Sequence, residues 1–127
     1  MKRMFDQYIK KAKNDFLSIK NNLASDEIPA DTCCSHAQQA AEKYLKAYLD
    51  YNNLEIPKIH DLVKLMKLCM NINPDFVALE PKLKLLSEDS VTPRYPDEKD
   101  DITVEDAKIA YQTSLAVKEF IEKNFFH

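Results

Sequence analysis

No glycine occurs anywhere in the 127 residues, and that absence closes off more structure than any motif opens. Glycine is the usual residue for the two-residue turns of β-hairpins and for loops whose backbone cradles phosphate. A P-loop or a dinucleotide fingerprint requires it at fixed positions, so neither exists here. An all-helical chain is the natural consequence. Asparagine tolerates the left-handed conformation best after glycine, so Asn21-Asn22, Asn52-Asn53 and Asn71 are the expected helix stops.

Apolar periodicity then places the helices. Phe5, Ile9, Ala12, Phe16, Ile19 and Leu23 follow one another by three or four residues, which draws a single seam along a first helix. Ile28-Pro29-Ala30 reads as a connector, with Asp31 as the expected N-cap of a second helix over about Thr32 to Tyr51. Pro57 breaks the following turn, and a third helix over about His60 to Met70 buries Leu62, Leu65, Met66 and Cys69. His60 itself reads as a cap or a stacking residue at that helix start. Asn73-Pro74 opens a fourth segment with Phe76, Leu79, Leu83 and Leu86 in register, and Pro81 inside it implies a kinked or split helix. Asp89 to Ile102 has no periodicity and reads as a loop. Thr103 and Asp106 form an imperfect capping box for a last helix whose inner face is Ala107, Ala110, Ser114, Val117, Ile121 and Phe125. The sum is one domain over residues 1–127, an up-and-down bundle of four or five helices.

Composition narrows the function classes. A formal charge of −3 argues against an extended nucleic-acid surface, which depends on neutralising many phosphates, although a local basic site stays open. Three cysteines, Cys33 and Cys34 adjacent, fit neither a disulfide framework nor a paired metal motif and read as buried thiols. No metal ligand set and no cofactor motif is legible. No apolar run nears the ~18 residues of a membrane span, and the start of the chain lacks a signal-peptide core, so the protein reads as soluble and cytoplasmic.

The polar residues worth singling out sit in two places. Along the second helix, His36, Gln39, Ala40, Lys43 and Ala47 fall on one stripe, because 36 and 43 are nearly two full turns apart. A core stripe would carry Leu or Ile, so this face is expected to meet a ligand or a second subunit. His36 alone also suits a hydrogen-bonded structural role, and Lys43 alone a solvated charge. Tyr44, Tyr48 and Tyr51 form a neighbouring stripe for the core or a dimer interface. The long loop carries Arg94 and Tyr95 between Pro93 and Pro96. Of 18 lysines and arginines only Arg3 and Arg94 are arginine, so Arg94 suggests a need for the planar fork that grips carboxylate or phosphate; an internal salt bridge is the alternative. Together, Arg94, Tyr95, His36, Gln39 and Lys43 make the expected lining of a small anion pocket. No catalytic residue is assigned.

Read jointly, His36-Ala37-Gln38-Gln39-Ala40-Ala41-Glu42-Lys43, Leu45-Lys46-Ala47, His60-Asp61-Leu62 and Arg94-Tyr95-Pro96-Asp97 resemble the HEPN domain family, over nearly the whole chain. The resemblance implies a helical bundle like the C-terminal domain of kanamycin nucleotidyltransferase, a homodimer, and pairing with a minimal nucleotidyltransferase in a toxin–antitoxin-like system. The ribonuclease branch of the family carries a histidine four to six residues after the loop arginine. Here Arg94 is followed by Tyr95-Pro96-Asp97-Glu98-Lys99-Asp100-Asp101, with no histidine to handle the proton of a ribose hydroxyl. The chain therefore resembles the non-ribonuclease branch, for which nucleotide binding has been proposed. The alternatives are an RNase-type toxin that draws its histidine from His36 or His60, and a non-catalytic dimeric adaptor.

Overall fold

The computed structural model describes the backbone of residues 4–91 and 102–125, and the side chains of 4–87 and 102–125. Helix α1 is Phe5–Leu23, α2 Ala30–Tyr51, α3 Leu62–Met70, α4 Glu80–Val91 and α5 Val104–Phe125, with a 3-10 segment at Pro74–Leu79 leading into α4. The described residues contain no strand, and no helix among them is long and apolar enough to cross a membrane.

Helix α2 is the hub, in contact with α1, α3, α4 and α5. Its alanines explain why. Ala37, Ala40 and Ala47 are fully buried, and side chains this short let the α1 backbone approach closely along the whole helix pair. The first seam forms as the spacing predicts, with Ala12, Phe16 and Ile19 buried on α1. Helix α5 buries Ala107, Ala110, Ser114, Val117, Ile121 and Phe125, the expected inner face in full. Leu62, Leu65, Met66 and Cys69 of α3 join the same core. Cys33, Cys34 and Cys69 are buried thiols.

Helix ends follow local chemistry, with several departures from the sequence reading. The α2 terminus is a Schellman motif: Leu54 N–H donates to the Leu49 carbonyl at 3.0 Å and Asn53 N–H to that of Asp50 at 2.9 Å. Asn53 sits between them at φ 63°, the left-handed position that glycine would otherwise take. Asn21 and Asn22 instead lie inside the last turn of α1, and Asn71 caps α3 in a right-handed conformation, so neither acts as a left-handed stop. Asp31 is not the α2 cap either. That helix starts two residues earlier, after Pro29, and Asp31 lies in its first turn, where a carboxylate is favoured by the helix dipole. Asp61 rather than His60 caps α3, accepting from Lys64 N–H at 3.1 Å. The capping box of α5 is complete: Thr103 Oγ1 accepts from Asp106 N–H at 3.0 Å and the Asp106 carboxylate from Thr103 N–H at 2.9 Å.

The Pro81 segment is split. Residues 74–79 wind as a 3-10 turn that buries Phe76 and Leu79, and α4 begins at Glu80. Pro81 then lies in the first turn of α4, where its missing N–H costs nothing. Because α4 continues to Val91, residues 89–91 are helical rather than part of the expected loop.

At the α5 end of α2, aromatic rings close the bundle. Phe5 meets Phe125 edge-on at 4.7 Å between centroids, Tyr48 meets Phe76 at 4.5 Å, and Phe76 meets Phe120 at 5.1 Å. Tyr44 and Tyr48 are buried and Tyr51 half-buried, so this tyrosine stripe belongs to the core. Asp50, beside the cluster, accepts the N–H groups of Met4 and Phe5 at 2.9 and 2.8 Å, capping α1 from a helix away.

Candidate functional site

One carboxylate organises the polar side of α2. Asp15 sits in the α1 seam between Ala12 and Ile19 and is only 5% exposed. Its Oδ1 lies 2.8 Å from His36 Nδ1 and its Oδ2 2.6 Å from Lys43 Nζ. The two partners stand nearly two turns apart on the stripe predicted on α2, so antiparallel packing of α1 against α2 sets all three groups in place. An ionised carboxylate only accepts hydrogen bonds, so Nδ1 of His36 carries the proton and the ring turns Nε2 away from Asp15. Lys43 spends one of its three N–H donors on Asp15. Both side chains keep a partly exposed tip, 28% for His36 and 22% for Lys43.

A second carboxylate extends the pattern. Glu42 accepts from Lys46 Nζ at 3.1 Å, and His60 Nδ1 stands 3.0 and 3.2 Å from its two oxygens. Lys46 is nearly buried, whereas His60 is on the surface. Gln38, Gln39, Glu42, Lys43 and His60 line an open cleft of about 470 Å³. Of the residues singled out from sequence, the structure thus brings His36, Gln39 and Lys43 to one face. Arg94 and Tyr95 lie outside the described residues.

Two carboxylates and two lysines balance in this region, so its capacity to hold a ligand rests on aimed donors rather than on net charge. His36 offers a ring nitrogen, Lys43 two further N–H groups, and Gln39 an exposed amide. Nearby phenols and thiols are unsuited to nucleophilic chemistry. Burial, then the charges of Asp50 and Glu42, raise the Tyr8 phenol; burial and Glu122, whose carboxylate is 3.4 Å from the hydroxyl, raise Tyr44. Burial pushes the Cys69 thiol up to about 12, the opposite of what an activated cysteine needs. No cluster of three or more His, Cys, Asp or Glu side chains suited to a metal ion occurs among the described residues.

The sequence reading passed over Asp15 and Glu42. Asp15 did carry a signal, since it is a charged residue three places after Ala12 and four before Ile19, on the buried seam itself. Glu42 stands within the HEPN-like run, but its link to His60 depends on how the α2–α3 connection folds back.

Comparison with known proteins agrees with this architecture. The crystal structure of an archaeal HEPN homologue superposes with a TM-score of 0.76 at 23% identity, covering 98% of this chain and 99% of the other. At that identity the likeness concerns the fold. No protein of curated function matches the chain. The sequence profile of the HEPN domain matches residues 5–124, so the chain belongs to the HEPN domain family.

Proposed function

We propose that this HEPN domain is a binding module that takes up the phosphate of a nucleotide at the polar face of α2. The observation that carries the reading is the pair of contacts by which Asp15 holds His36 and Lys43, Lys43 being also one of the residues that line the open cleft. A phosphate would accept from Lys43 and from the outward nitrogen of His36 when that nitrogen is protonated. The amide of Gln39, and Gln38 beside it, suit the polar edge of a base or the ribose hydroxyls. The second copy of a dimer and a minimal nucleotidyltransferase partner dock on other surfaces in this reading, leaving the cleft open to solvent.

A ligand that binds only the folded protein raises its melting temperature. With ATP at about ten times its dissociation constant the gain is about 1.4 kcal/mol, or roughly 3–6 °C for a domain of this size. Adenosine, lacking phosphate, produces no comparable shift. Asp15→Asn keeps the shape but slackens both donors and removes most of the ATP response. An unchanged transition in wild type across several nucleotides contradicts the reading.

A further inference from the structure

The outward face of α5 carries charges in a mirrored order. At about 100° per residue, Glu105, Lys108, Glu119 and Lys123 fall within one arc of about 60°, and all four are exposed. Along the helix their signs run minus, plus, minus, plus, and each charge has its opposite at the same distance on the other side of a midpoint near residue 114. The helix dipole accounts for the outer pair, a carboxylate in the first turn and an ammonium in the last. It does not account for the inner pair, in which the lysine lies nearer the N-terminus and the glutamate nearer the C-terminus. None of the four forms an ion pair among the described residues. Ile109, 44% exposed, and the half-buried Ala116 lie along one flank of the same stripe.

We infer that this face pairs with the same face of a second copy of the chain, the two α5 helices running antiparallel about a two-fold axis near residue 114. That operation sets Glu105 of each copy opposite Lys123 of the other, and Lys108 opposite Glu119, four ion pairs spread over about 27 Å. A parallel pairing in register would set every charge against its like. The same operation brings Ile109 of one copy within about a turn of Ala116 of the other, whose short side chain lets the helices approach. A partner of different sequence needs charges complementary to this face but puts no demand on its symmetry; a second copy requires the mirrored order. Exposed ion pairs are individually weak and are screened by salt, so the dimer is weak and salt-sensitive. The inference is independent of nucleotide binding, since it shares no residue with the α2 cleft.

The test is sedimentation equilibrium of the full chain at low salt, with circular dichroism to confirm that each variant keeps its helix content. Wild type should show a monomer–dimer equilibrium that weakens at least tenfold at about 1 M salt. The double variant E105K/K108E leaves the net charge unchanged but sets like charges opposite each other across the two-fold axis, and it should weaken association at least tenfold. E119K/K123E should do the same. The quadruple variant E105K/K108E/E119K/K123E inverts every charge and makes all four pairs opposite again, so it should return to within about threefold of wild type. A wild type that stays monomeric at about 1 mM, a dimer indifferent to E105K/K108E, or a folded quadruple variant that fails to recover association would each overturn the inference.

Discussion

The two ends of α2 are held in place by different forces. Toward Tyr48 and Tyr51 the helix is sealed by rings from α1, the 3-10 segment and α5, contacts whose strength lies in buried area and whose geometry tolerates small shifts. Around residues 36 to 43 the same helix meets α1 through alanines and through a carboxylate that must find two specific donors. The aromatic end supplies stability. The polar part adds little net energy, because burying a charge costs much of what its partners return, but it fixes how far α1 may slide against α2.

Truncation experiments separate the two. Phe76 is fully buried within the ring cluster, so Phe76→Ala should cost about 3–5 kcal/mol in urea unfolding. Asp15→Ala should cost less, about 2–3 kcal/mol, since the charges it orphans are partly exposed and water screens them. If the polar variant loses more than the aromatic one, the division of labour is wrong.

A smaller effect concerns alkaline pH. The Cys69 thiol, at about 12 in the fold against an ordinary 9.0, stays protonated while the unfolded chain ionises. A raised thiol contributes stability that is complete below pH 9 and declines as pH climbs toward 12. Between pH 8 and 10.5 the loss should be about 2 kcal/mol. The raised Tyr44 phenol adds to it in the same direction above pH 10. Cys69→Val should flatten the thiol's part of the slope, which urea midpoints across that range would register. An identical slope in the variant would show that Cys69 does not contribute.

The same contrast explains what could be read from sequence. Packing obeys periodicity, so the seams of α1, α3 and α5 were legible as spaced apolar residues. The capping box at Thr103 was legible because its partners lie three residues apart. Contacts between distant residues were not: nothing local ties Asp50 to the start of α1, or Glu42 to His60. The stripe of His36 and Lys43 was recognised as unusual, yet its partner was sought in a ligand or another subunit. It lies in the chain's own first helix, at the one buried charge of the α1 seam. The asparagine stops failed for a related reason. Only Asn53 has a chain path that turns left-handed; the others are satisfied within right-handed turns.

Everything proposed for α2 depends on Asp15 aiming His36. The tautomer of that ring reads the arrangement directly, through the ¹⁵N shifts of its two nitrogens in long-range correlation spectra at mildly alkaline pH. Asp15 bonded at Oδ1 requires the proton on Nδ1 and a bare Nε2, the reverse of the form that free histidine favours. A spectrum with the proton on Nε2 and an unprotonated Nδ1 would mean that the carboxylate does not hold the ring.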